Sequence, residues 1–116
     1  MNIKPLHIIY FLFIILILKF FSPEIEPTSL PKINLILKDH KFDQNEIYLK
    51  KNTQYILYIT NNDSTNEEFE SVDLSVEKII PNNTTIYIIL PALSTGIYKF
   101  HGEFHSETAN GVFIVT

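Results

Sequence analysis

Two stretches of this chain carry side chains able to do chemistry, and both combine carboxylates or imidazoles with an alternating apolar residue. The first is EEFES (67–71), followed by Asp73 and Glu77; the second is FHGEFHSETANG (100–111), which holds His101, Glu103, His105 and Glu107. Side chains of an extended strand alternate between faces, so Glu68 and Glu70 share one face and Phe69 takes the other. Along the strand that enters the second stretch, Lys99, His101, Glu103 and His105 have one parity, while Tyr98, Phe100 and Phe104 have the other. On that spacing Glu103 and His105 project together near the strand end, as a metal site or a proton relay requires. Carboxylate with imidazole suits divalent copper, iron or zinc better than calcium, because hard calcium takes oxygen ligands. The same residues would equally serve a solvated sheet edge, and Glu67, Glu68 and Glu70 a polar loop that blunts aggregation.

What the chain lacks narrows the chemistry further. Its 116 residues include no cysteine, which excludes disulfides, thiolate metal sites, iron–sulfur clusters and cysteine nucleophiles. There is no Ser/His/Asp pattern, glycine-rich phosphate loop or HExxH, so hydrolase and nucleotide chemistry have no support and the expectation is not an enzyme. The 9 basic residues, all lysine, face 13 acidic ones for a net charge of -4, which makes nucleic acid an unsuitable partner.

These clusters need elements to position them, and the first part of the chain is not among those elements. Residues 8–18 (IIYFLFIILIL) are uniformly apolar between Lys4 and Lys19. A spanning helix wants about 20 such residues, whereas a signal-peptide core has about 7–15. No AxA-like pair of small residues follows, Ser22 having Phe20 two positions before it, so a retained anchor with Lys19 snorkelling is the alternative. Lys4 places the N-terminus inside and the remainder outside, in the periplasm or on the outer face of the inner membrane. The reading is therefore an N-terminal hydrophobic helix at 1–22 serving as signal peptide or membrane anchor. A proline-containing linker at 23–32 (PEIEPTSLPK) and one domain at 33–116 follow.

From Ile33 onward apolar residues recur with period two or in short runs, never at helical spacing over ten residues. INLILK (33–38), KFDQNEIYLKKNT (41–53), QYILYIT (54–60), EFESVDL, TTIYIIL (84–90), IYKFHGEF (97–104) and GVFIVT read as strands. QYILYIT reads as a central strand with Tyr55, Leu57 and Ile59 on one face; NNDSTNEE (61–68) reads as a polar loop. Seven or so strands with polar turns predict an all-β, Greek-key β-sandwich, whose end loops can bring distant segments together.

Taken together, YITNND, EEFES, DLSVEK and YKFHGEFHSETANGVFIV resemble a cupredoxin-like domain across 33–116. Tyr98 and Phe100 match the aromatic pair of the blue-copper ligand loop and His105 matches its histidine. Gly102 stands where the cysteine would be, and SETANG has no methionine ligand. Without thiolate, a blue-copper electron-transfer site is excluded. The strings are similar to cysteine-free cupredoxin-like proteins of the bacterial cell envelope, related to the cupredoxin domain of EfeO-type iron-uptake proteins. That resemblance implies Glu68, Glu70, Glu103 and His105 as metal ligands, with His101, Glu77 and Glu107 as further candidates. It implies binding or handing over of a copper or iron ion, with a membrane iron permease or another envelope protein as partner. The competing expectation is a metal-free interaction module that kept the sandwich.

Overall fold

The computed structural model describes residues 29–116. The leader at 1–22 and the linker up to residue 28 lie outside the described residues. Nine strands follow: β1 (Lys32–Lys38), β2 (Lys41–Phe42), β3 (Glu46–Leu49), β4 (Tyr55–Asn61), β5 (Glu67–Ser71), β6 (Val76–Ile80), β7 (Thr84–Leu90), β8 (Gly96–Gly102) and β9 (Asn110–Val115). They form two sheets, ordered β2-β1-β4-β7 and β3-β9-β8-β5-β6. The pairs β1/β4 and β3/β9 are parallel, so both sheets are mixed. The expected all-β sandwich is thus the fold, and β4 lies inside its sheet between β1 and β7.

Alternation sets the core. Leu35, Leu57, Ile59, Ile88 and Leu90 from one sheet meet Ile47, Leu49, Phe69, Phe100, Phe113 and Val115 from the other. Phe100 is the hub: its ring lies 5.5 Å from Phe69, 4.7 Å from Phe113 and 5.4 Å from Phe42 between centroids. Offset and edge contacts at such spacings add to the area the rings bury.

Two local readings need correction. The segment 41–53, expected as one strand, is two strands in opposite sheets. Asp43 ends the β1/β2 pairing by holding Ile36 twice, its N–H donating to Ile36 O at 2.8 Å and its Oδ1 accepting from Ile36 N at 2.9 Å. The chain then crosses over to pair β3 with β9. The stretch 61–68, expected as a solvated loop, starts as the buried end of β4 and finishes inside β5. Asn61 is fully buried; its Nδ2 donates to Thr65 O and Ile80 O, and its Oδ1 accepts from Asp63 N, each at 2.9 Å.

Asp63 in turn shapes the β1–β2 turn. Asp39 and His40 both have positive φ, 53° and 58°, in a two-residue connection with no glycine. That conformation costs about 1 kcal/mol or more per L-residue. The Asp63 carboxylate offsets the cost by accepting Asp39 N at 2.7 Å and His40 N at 3.0 Å. Burial pushes its pKa up, but the two N–H donors and the charges of His40 and Lys38 outweigh this and hold it below the usual carboxylate value. A folded pKa below the unfolded one means stability that is present above the ordinary Asp range and is lost as pH falls through the lowered value. Asp63→Asn, which turns an N–H donor toward a backbone N–H, should therefore cost about 1–3 kcal/mol at pH 7. In urea titrations the gap from the wild type should narrow as pH falls below the ordinary Asp range and close only once it passes the lowered value.

Candidate metal centre

Strand pairing assembles the donors. β5 and β8 are antiparallel neighbours with Glu70 opposite His101, and β5 and β6 pair with Glu70 opposite Glu77. Glu77, Glu70 and His101 therefore form one row across three strands on the outer face of the five-stranded sheet, with Glu68 two residues along β5. Phe69 points the other way into the core, as alternation predicts.

The parity expected past Gly102 fails. β8 ends there and the chain enters a single 3-10 turn, Glu103–His105. With three residues per turn, successive side chains point about 120° apart rather than alternating. Glu103 and His105 accordingly do not project together. Glu103 turns back to His101, Oε2 to Nε2 at 2.7 Å, while His105 places Nδ1 2.7 Å from Glu67 Oε2. Phe104, expected on the apolar face, is 52% exposed.

The predicted residues thus fall into two groups. The outer group is Glu70, His101 and Glu103, extended by Glu68 and Glu77; the ligand atoms within each of the two triads Glu70/His101/Glu103 and Glu68/Glu70/Glu77 lie within 4.8 Å of one another. His101 Nε2 is also 3.6 Å from Glu70 Oε2. The inner group is His105 with Glu67 and His40, whose ligand atoms meet the same spacing. The His40 and His105 rings stack at 3.6 Å and 13°. Glu107 is exposed and, among the described residues, joins neither group.

Sequence reasoning missed Glu67 and His40 as site members. Glu67 had a signal: it shares the parity of Phe69 and Ser71 and so belongs to the inward face of β5, where it is 1% exposed. His40 had none, because its position depends on a turn held by Asp63, distant in sequence.

Electrostatics separates the outer carboxylates. A hydrogen bond shared with Glu103 raises the pKa of Glu70, as do partial burial and the charges of Glu103 and Glu77, against His101. Glu103 is lowered, first by its hydrogen bond to His101 and then by that to Glu70. Glu68 is raised by partial burial, then by the charges of Glu77 and Glu103. A carboxyl whose folded pKa is raised contributes stability below its unfolded value and loses it as pH rises through the folded one. Charged Glu70 is therefore unfavourable to the metal-free domain at neutral pH, as like charges facing across strands are in general. Glu70→Gln should raise the thermal midpoint of the metal-free protein at pH 7, and Glu103→Gln should lower it. Differential scanning calorimetry with chelator present reads both; midpoints shifting in the same direction would contradict this arrangement.

Comparison with known proteins identifies the domain family and the fold. A family model described as a cupredoxin-like domain matches residues 8–115. Uncharacterized protein RP394 of Rickettsia prowazekii (strain Madrid E) is 42% identical over 94 residues, covering 81% of this chain and 75% of that one. Among solved structures, the metal binding domain of the Cu(I) exporting P-type ATPase CopA of Streptococcus pneumoniae D39, solved with Cu(I), superposes with a TM-score of 0.66 at 15% identity, covering 73% of this chain and 84% of that chain. Auracyanin A, a blue copper protein of Chloroflexus aurantiacus, gives 0.63 at 13% identity, covering 73% and 98%. At such identities the likeness to solved structures is one of fold, and the structural neighbours include copper-binding proteins.

Proposed function

Because the chain belongs to the cupredoxin-like domain family, we propose that it is a carrier that binds a copper ion and hands it on, outside the inner membrane, without catalysing a reaction. The observation that supports this most is the row Glu77–Glu70–His101 closed by Glu103. Three carboxylates and an imidazole from three strands and a turn are set side by side, with Glu70 held against Glu103 and Glu77 at a cost to the metal-free sheet. A divalent cation would offset that repulsion between carboxylates. The donors fit such an ion: imidazole and carboxylate are a borderline-to-hard set, and with no thiolate in the chain the reading is of transfer rather than blue-copper electron carriage. Glu103, kept ionised by His101, offers a charged oxygen across the working pH range. An imidazole must be neutral to bind a metal ion, so affinity should fall below about pH 6.

The apolar segment at 8–18 supports export, by a cleaved signal or a retained anchor, and a periplasmic or outer-face location. Iron is the second cargo this donor set would accept, and a membrane permease is the partner that uptake would require. One observation favours the metal-free interaction module instead: Ile36, Tyr87 and Ile89 are 37–49% exposed on the outer face of the four-stranded sheet. Elemental analysis of the full-length protein from its own envelope fraction, with calorimetric titration of Cu(II) and ferrous iron, decides between the readings. The carrier takes up copper stoichiometrically; a protein without stoichiometric metal that takes up neither ion is the interaction module.

A further inference from the structure

We propose that the outer face of the four-stranded sheet is a membrane-docking surface, which lies on a bilayer carrying anionic headgroups and turns the opposite sheet toward water. The register across β1, β4 and β7 sets Ile36, Tyr58, Tyr87 and Ile89 on this face. Ile36, Tyr87 and Ile89 are 37–49% exposed. Lysines bracket the patch: Lys32 opens β1, and Lys38 and Lys41 pair at its far end. Lys78 reaches over from β6, its Nζ 5.2 Å from the centre of the Tyr87 ring and donating to Tyr87 O at 2.7 Å. No acidic residue stands at the outward positions of β1, β4 and β7; Asp43, beside them at the edge, is spent on Ile36 N. The Thr60 and Thr85 hydroxyls bond each other at 2.8 Å, so covering the face need not break them. Tyrosines and aliphatic side chains ringed by lysine suit the boundary of water and lipid, where apolar bodies enter and ammonium heads reach the headgroups.

Charge decides what can cover this face. Glu68, Glu70 and Glu77 lie on the outer face of the other sheet. Packed sheets are about 10 Å apart, more than the screening length of about 8 Å at physiological ionic strength, so a domain that is acidic as a whole still presents a separate basic side. A second copy related by a two-fold axis would set Lys32, Lys38 and Lys41 against their own equivalents, whereas an anionic surface gains from each of them. The chain also supplies a tether. Residues 19–31 separate the apolar run at 8–18 from Lys32, where β1 begins on this face. Such a segment spans at most about 45 Å. An anchor at 8–18 would thus hold the face near its own bilayer, where docking within one molecule needs little intrinsic affinity. The inference rests on the proposed export with a retained anchor, and not on the metal. With this side down, the row Glu77–Glu70–His101 looks away from the membrane, open to a partner arriving through water.

The chain has no tryptophan, so Tyr87→Trp puts a single reporter on the face, and Tyr48→Trp, 69% exposed on the other sheet, is its control. The full-length variants are reconstituted in vesicles of phosphatidylcholine with phosphatidylglycerol, and of phosphatidylcholine alone, with acyl chains brominated near the headgroup as quencher. In anionic vesicles the Tyr87→Trp emission should shift to the blue and be quenched, while that of Tyr48→Trp should do neither. In neutral vesicles or at high salt the quenching of Tyr87→Trp should fall. Adding Lys32→Gln/Lys38→Gln/Lys41→Gln should weaken docking about 100-fold, which is about 3 kcal/mol at about 1 kcal/mol per lysine and 1.4 kcal/mol per tenfold. Equal quenching of the two reporters would mean a tether without a preferred face and would overturn the proposal. So would a Tyr87→Trp reporter shielded from acrylamide yet untouched by bromolipid: shielding that grows with protein concentration gives the face to a second copy, and constant shielding gives it to the linker with Glu24 and Glu26. An intact mass lacking the leader, in protein from the envelope fraction, would overturn the tethered arrangement. No metal enters these measurements, so a failure of copper uptake sinks the carrier reading alone.

Discussion

Phe100→Ala is expected to destabilise the domain by about 3–5 kcal/mol, the usual range for deleting a buried aromatic ring. For a domain of this size, total stability is about 4–13 kcal/mol, so the loss ranges from about a quarter of it to all of it. The reasons are specific to this ring. Phe100 is 1% exposed, contacts Phe42, Phe69 and Phe113, and lies so close to Gly111 that a Cβ there would run into it. Backbone on one side and three rings on the others leave little to collapse into the void. Urea unfolding followed by circular dichroism should show the midpoint falling steeply. Ile97→Ala on the same strand, 65% exposed, should move stability by no more than about 0.5 kcal/mol. Comparable losses in the two variants would mean that Phe100 is not the hub described.

The second large effect concerns binding. In the double variant Glu70→Gln/His101→Ala, Cu(II) affinity should fall at least about 100-fold. Each charge-assisted contact is worth about 1.5–3 kcal/mol, and every 1.4 kcal/mol is tenfold in affinity. His101 sits at the centre of the outer group, 2.7 Å from Glu103 and 3.6 Å from Glu70, so its removal separates the remaining oxygens from any imidazole. Glu107→Gln, outside both donor groups, should bind as the wild type does. Isothermal titration of full-length proteins gives the comparison, and wild-type affinity in the double variant would remove this face as the site. Loss of binding could not be put down to loss of fold at Glu70, because Glu70→Gln should make the metal-free domain more stable. Opposite signs on binding and stability mark residues that a sheet keeps for something other than itself.

How far the sequence foretold this molecule depends on whether the deciding contact is local. The faces of β4 and β8 were legible because alternation is a property of the extended backbone, and so was the shared face of Glu68 and Glu70. The same rule misled beyond Gly102, where the strand gives way to a 3-10 turn. That turn is secured by the N–H of Phe104 bonding to Glu67, 37 residues earlier. Glu67 itself was legible by parity yet was grouped with a polar loop, because charge is a poor guide to burial when fold-supplied donors wait for it. Asp63 and His40 were not legible at all. Their partnership rests on two positive-φ residues that carry no glycine, and only tertiary structure shows what holds them.

The place of β9 bears on the order in which the molecule forms. It follows every other strand in the chain, yet it lies between β3 and β8. Until it arrives, β3 has no neighbour in its sheet, and β8 has only the short register with β5 at Phe69/Gly102 and Glu70/His101. A ribosome delivers the chain from its other end, so the early strands must wait, and pairings between remote segments are slow to close. The turn that carries Glu103 and His105 lies between β8 and β9, so it is bounded on both sides only once β9 is in place. Glu70, Glu77 and His101 lie on β5, β6 and β8, which pair with one another without β9 and can come together before it.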